Sequence, residues 1–200
     1  VVLRWGNGDA AVALVRQIGA REGLGDLLAD GVKRAAERLG PGAAAAALHA
    51  GGQELPMHDP RYDPMLGAGY QLDATPGRHT VSNSASVDVP LFREALAAEG
   101  LKPAGRYEYA GQGKAFAVVG RTFHLLSCAG LCMFSSVLGR PPVEAWVNAA
   151  TGWQLSAEEF GRIGRRIQLM RHLFNTREGV RPSDFALHPR AAGRPPLAEG

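Results

Sequence analysis

The only two cysteines in the 200 residues, Cys128 and Cys132, stand four apart in Ser127-Cys128-Ala129-Gly130-Leu131-Cys132-Met133-Phe134, at the end of an apolar run. A thiolate is a soft ligand suited to zinc, copper(I) and iron–sulfur clusters, and a glycine just before it lets the backbone approach a bulky cofactor. Two thiols complete neither a tetrahedral zinc site nor a cubane, each of which takes four ligands. The remaining soft or borderline donors are six scattered histidines: His49, His58, His79, His124, His172 and His188. On residue type alone the plainer reading leads, because free cysteine packs as a small hydrophobe and is among the most buried residues. Two further groups could do chemistry. Arg78 carries a planar fork that suits phosphate, and His79 beside it could exchange protons near neutral pH, although a lone histidine in a turn is ordinarily just exposed. Glu54, His58 and Asp59 could form a carboxylate–histidine site, against which Asp59 before Pro60 is a common turn starter.

These residues need elements to position them, and the pattern is helical. Asp9 is placed to cap a helix with Ala11, Leu14, Val15 and Ile18 on one face. Asp26 is placed to cap a second, through Leu28, Val32, Ala35 and Leu39 to the stop at Gly40-Pro41, and the two make a hairpin. The alanines 43–47 could extend a helix, and Gly52 to Arg61 reads as loop. Gly67 to Tyr70 leads into a second loop, Asp73 to Thr80. Asp88-Val89-Pro90 opens a helix that ends at Gly100. From about Tyr107 a long helix with buried Phe116, Val119, Phe123 and Leu126 delivers the chain to Ser127, where a thiolate would be shielded from water. Val143, Trp146, Val147 and Ala150 give a further helix its apolar face. After it, Ser156-Ala157-Glu158-Glu159 is a capping box opening a helix with the stripe Phe160, Ile163, Ile167, Met170 and Phe174, in which Gly161 and Gly164 suggest close packing. No strand alternation is strong enough for a sheet of any size, so the expected fold is mainly α with long functional loops.

Cys-Ala-Gly-Leu-Cys-Met-Phe resembles the second Asp-x-x-Gly-Leu-Cys motif of the aldehyde ferredoxin oxidoreductase family, tungsten enzymes that also carry a [4Fe-4S] cluster. The resemblance implies that Cys132 is a cluster ligand and that Ser127, Gly130, Leu131 and Met133 lie against a tungstopterin. Ser127 stands where the family usually has Asp, which bears on one anionic contact to the pterin, and Cys128 falls at a variable position and reads as packing. The family also has a histidine in a Gly- and Arg-containing loop near the metal. This implies His79 as the acid/base residue and Arg78 as a cofactor contact, although members often read Arg-Gly-x-x-His with a basic residue two further on, where this chain has Thr75 and Val81. Trp5-Gly6-Asn7, Gly23 to Val32, Gly52 to Arg61 and the long stretch 148–185 resemble the family as well. There Asn175, Arg177 and Glu178 read as structural pairing.

The resemblance implies the helical domains 2 and 3 of such an enzyme; the linkers part the chain near Pro103, as 1–102 and 103–200, or near Gly139. Its cofactors would be a tungsten or molybdenum bis-pterin and a [4Fe-4S] cluster whose other three cysteines lie outside this chain. Ferredoxin would be the partner, a small aldehyde the substrate, and a homodimer is compatible with it. Two alternatives stay open: a divergent relative acting on another substrate, such as an aromatic acyl thioester, and a helical interaction module that has lost its cofactors. Val1 and the tail Pro195 to Gly200 suggest a piece of something longer, inactive alone. Composition agrees with a globular chain, at 46% hydrophobic and 20% charged, with 26 glycines and 13 prolines for turns. Apolar runs fall short of the ~18 residues of a membrane span and no signal-peptide pattern opens the chain, so the expected compartment is the cytoplasm. The net charge of +3 comes from spread arginines, concentrated somewhat in Arg162, Arg165, Arg166, Arg171, Arg177 and Arg181. Without interleaved aromatics this argues against nucleic acid. It fits a solvated helix face, or attraction to an acidic redox partner.

Overall fold

Asn7, rather than Asp9, starts the first helix in the computed structural model, which describes residues 3–79, 89–137 and 139–194. Its side chain accepts the Ala10 N–H at 3.0 Å and opens α1 (Gly8–Ala20), while Asp9 lies in the first turn, where a carboxylate favours the helix dipole. The single second helix expected from the spacing is two: α2 (Leu24–Leu28) and α3 (Gly31–Leu39). Gly31 interrupts the run with φ +86°, a left-handed backbone that side-chain-bearing residues rarely adopt. Asp26 therefore lies inside α2 and binds Arg21 and Arg38 instead of capping. A short α4 (Pro41–Ala44) takes up the start of the alanine run. The only strands among the described residues, β1 (His49–Ala50) and β2 (Gln53–Glu54), pair antiparallel with His49 opposite Glu54.

Helix α5 (Pro64–Leu72) occupies a stretch expected as a lead into loop, although Asp63-Pro64 spells its start. The Asp63 carboxylate accepts the Met65 N–H at 3.1 Å, and proline suits the first turn. Then follow α6 (Pro90–Ala98), α7 (Gln112–Cys128), α8 (Phe134–Val137), α9 (Val143–Thr151), α10 (Ala157–Arg177) and a 3-10 turn at Pro182–Phe185. The fold is mainly α, as expected. The expected cap at Asp88, the loop residues Thr80 and Val81, and the tail from Pro195 lie outside the described residues.

Helix α7 is central. Phe116, Val119, Phe123 and Leu126 are all buried, and α6 and α10 pack along it. The Phe92 and Phe123 rings meet at 4.6 Å between centroids, tilted by 48°. Against α10 the approach is so close that a Cβ on Gly164 would stand 2.6 Å from the Arg121 carbonyl oxygen. The capping box of α10 forms: the Glu159 N–H donates to Ser156 Oγ at 3.3 Å, and the Ser156 N–H donates to Glu159 Oε2 at 2.8 Å. Beyond Gly164, however, the apolar stripe turns outward, leaving Met170 62% and Phe174 55% exposed. Trp146 of α9 and Val15 of α1 are exposed in the same way. Among the described residues no helix is long and apolar enough to cross a membrane.

A smaller core of Ala50, Leu66 and Tyr70 sits under the β-hairpin, with Leu55 and Leu187 against it. The Tyr70 hydroxyl donates to the His58 carbonyl at 2.9 Å, and burial pushes its ionisation up to about 12, so it stays a donor.

Candidate functional site

The Cys132 turn is the termination of α7. The Leu131 N–H donates to the Leu126 carbonyl at 3.0 Å and the Gly130 N–H to the Ser127 carbonyl at 3.1 Å, with Gly130 at φ +78°. This pair of bonds is a Schellman motif, which calls for glycine at the left-handed position and an apolar residue just after it. Leu131 meets the second demand by packing on the main core, and Met133 joins it there. Gly130 and Leu131 thus have a purely local reason to be what they are. The chain leaves the core between those two anchors, so Cys132 is exposed, as is Cys128 in the last turn of α7. The expectations of a shielded thiolate at 132 and a packed thiol at 128 do not hold in this chain. Ser135 locks the turn: its N–H and hydroxyl both donate to the Cys132 carbonyl, at 3.0 and 2.7 Å. Ser136 does the same for Met133, at 3.0 and 2.6 Å.

The second element is the 73–79 loop after α5. The Asp73 carboxylate accepts the Thr75 N–H at 2.8 Å, an Asx turn, and the Gly77 N–H returns to the Tyr70 carbonyl at 3.1 Å. Arg78 is exposed, and His79, half-buried, lies against His58 with ring centroids 4.6 Å apart and tilted by 43°. Desolvation, then the His58 and Arg78 charges, lowers the His79 pKa below the ordinary 6.5, so its imidazole is neutral at neutral pH. Glu54, His58 and Asp59 do not assemble. Glu54 accepts the Val32 N–H at 2.6 Å, and Asp59 is paired with Arg61, whose hydrogen bonds hold its carboxyl below the usual range.

A third group, missed in the sequence, ties the two elements together. Asp73, with its side chain fully buried, faces His124 of α7, whose Nε2 is 3.7 Å from Asp73 Oδ2. Arg171 of α10 reaches the same point, 3.8 Å from Asp73 Oδ1 and 3.2 and 3.3 Å from the two His124 ring nitrogens. Its other terminal nitrogen donates to Thr75 Oγ1, and Asn175 donates to the Ala74 carbonyl at 2.7 Å. The signal was present in the sequence. Phe160, Gly164, Ile167, Arg171 and Asn175 follow each other at four- and three-residue steps, so Arg171 falls on the inward line of α10 rather than on the solvated face.

Burial lowers the His124 pKa, opposed by Asp73 and reinforced by Arg171 and His172. Below the ordinary 6.5 the unfolded chain takes up a proton that folded His124 refuses. Stability is therefore full above about pH 6.5 and falls as pH drops, by at most about 1.4 kcal/mol per pH unit from this group. His49 and His79 shift in the same direction and add to the slope. His124→Gln is expected to remove only its own share, read as hydrogen exchange across α7 between about pH 5.5 and 7, corrected for the intrinsic rate. An unchanged slope would mean that His124 takes up its proton equally in the folded and the unfolded chain.

Among the described residues no group of three or more histidines, cysteines or acids could hold a metal. The described residues therefore could not complete a cluster by themselves, and Cys132 could offer it one thiolate. The donor set suits that role: a soft ligand on the surface, on a turn fixed by its carbonyl, with open space around Gly130. Fold and site together are those of a mainly helical module offering one turn-held surface thiol and one histidine loop. The family model described as "Aldehyde ferredoxin oxidoreductase, domains 2 & 3" matches residues 1–200, and the chain belongs to that family. Its relatives include proteins named tungsten-containing aldehyde ferredoxin oxidoreductase from Pyrococcus furiosus, Pyrococcus abyssi and Thermococcus kodakarensis. Each is 29% identical over 198 residues, covering 98% of this chain and 31% of the relative. The chain thus spans about a third of the length of the relatives it matches.

Proposed function

We propose that this chain is the C-terminal part of a tungstopterin- and [4Fe-4S]-dependent oxidoreductase that oxidises aldehydes to carboxylic acids and passes the electrons to ferredoxin. The observation that carries the reading is the Cys132 turn: in a chain of this family, a Schellman motif followed by two serine clamps presents one thiol at the surface. In the net reaction an aldehyde and water give a carboxylic acid, two protons and two electrons, the electrons leaving singly. When bound, the tungstopterin supplies the two-electron chemistry and the cluster the one-electron step toward ferredoxin.

Cys132 would supply one of the cluster's thiolates, the other three coming from outside this chain. Ser127 and Gly130 would border the cofactors from the exposed side of the turn. Leu131 and Met133, with their side chains on the core, would meet a pterin through backbone alone. The exposed guanidinium of Arg78 would attract an anionic cofactor group. His79, neutral at neutral pH, would accept one of the released protons at its imidazole and return it to water.

The test is tungsten and iron content, low-temperature EPR and aldehyde-dependent viologen reduction on the intact protein purified without oxygen. Tungsten, about four irons per chain and a reducible cluster signal are expected. A stably folded intact protein with neither metal would overturn the reading.

A further inference from the structure

Asp73 is a buried carboxylate whose Oδ2 has no hydrogen-bond partner among the described residues. A buried, half-satisfied charge is costly unless an opposite charge stands close by. Here that charge comes from Arg171, 98 positions further along the chain, on a different helix. The Arg171 fork does three things at once: it balances Asp73, meets the His124 ring between its two nitrogens, and holds the Thr75 hydroxyl. Asn175, one turn later, takes the intervening carbonyl of Ala74. The loop that carries Arg78 and His79 is thus fastened at three successive residues, 73, 74 and 75, by α10. The same cluster contacts α7 through His124, eight residues before the Cys132 turn.

We propose that Arg171, with Asp73 and His124, is a positioning cluster that fixes the 73–79 loop, and with it His79, relative to the helix that ends in the Cys132 turn. This rests on the reading of His79 as the proton-handling residue. Arg171 touches no reacting atom in it and acts through the loop. An arginine is required rather than any cation, because one planar fork must span a carboxylate, an imidazole and a hydroxyl. Among the described residues the charges acting on His79 are His58 and Arg78, and those acting on His124 are Asp73, Arg171 and His172. Arg171 is in the second set and not the first, so among these groups its effect on His79 runs through the position of the loop.

The experiment uses the intact protein with Arg171→Met, Arg171→Lys and Thr75→Val beside the wild type. Diethyl pyrocarbonate modifies only unprotonated imidazole, so its rate at His79, followed by peptide mass spectrometry from about pH 5 to 8, gives the titration midpoint of that residue. Hydrogen exchange of the 73–79 peptide is read in parallel. For Arg171→Met, the His79 midpoint is expected to move up toward 6.5 as the freed loop exposes the imidazole to water and leaves His58, with loop exchange about tenfold faster and α6 unchanged. Arg171→Lys should restore part of both effects, and Thr75→Val should raise exchange about threefold through the one lost hydrogen bond. If Arg171→Met fails to fold, Thr75→Val decides on the same criteria. Folded variants with unchanged midpoint and exchange would overturn the proposal. Neither readout needs turnover. Absence of tungsten together with a shifted midpoint would sink the aldehyde reading and leave the positioning cluster standing.

Discussion

Cys132→Ala in the intact protein is expected to strip the iron–sulfur signal and take aldehyde turnover to background while leaving the fold intact. The separation of these effects is what makes the variant informative. The side chain is exposed, and the turn is held by the backbone carbonyl of residue 132, which alanine keeps. Substitutions at such surface positions stay within about 0.5 kcal/mol. If Cys132 is one of four thiolates on a cubane, losing it should cost about four irons per chain. Cys128→Ala, in the last turn of α7, is the control and should keep all of its iron. Full iron content in Cys132→Ala would remove this residue from the ligand set and, with it, the main support for the proposed function.

Phe123→Ala should be the most destabilising single truncation in the main core. Phe123 is 2% exposed, stacks against Phe92 and lies in α7, against which α6 and α10 both pack. Truncating a buried phenylalanine costs about 3 to 5 kcal/mol, the lost transfer free energy plus the cavity left behind. Typical domain stabilities are only about 5 to 15 kcal/mol, so much of the margin would go. Hydrogen exchange across α7 and α10 would show it as a common rise in both helices. A loss confined to α7, or below about 1.5 kcal/mol, would mean that the neighbours close over the gap. Phe123→Leu should recover most of the loss.

The period of α7 is legible in the sequence because four apolar residues recur on one face, and all four are buried. The same rule misleads at α10, where two lines compete. Met170 and Phe174 continue the apolar line, but Arg171 and Asn175 take the inward one, because the 73–75 loop offers a carboxylate, a carbonyl and a hydroxyl that need partners. Such partners lie about a hundred residues away, and no local pattern reports them. Gly31 hides inside helical spacing because periodicity carries no information on the sign of φ. Gly130-Leu131 misleads in another way: the pair suggests a cofactor contact, yet helix termination alone accounts for both residues. What the termination leaves unexplained is the exposed cysteine next in the chain.

The fastening of the 73–79 loop also dictates an order of assembly. Its partners on α10 are 96 and 101 positions downstream, so the hydrogen bonds cannot form until that helix has been made and has docked. The helices α1 to α3 contact one another over short separations and can form early, since closing a longer loop costs more entropy, by about 0.6 kcal/mol for each doubling of length. On a ribosome, which delivers the chain from its N-terminus, the histidine loop would be made in the first half of this segment and fixed only near its end. A ribosome-bound chain stalled before Arg171 should therefore carry a protected α1 to α3 and an unprotected His79.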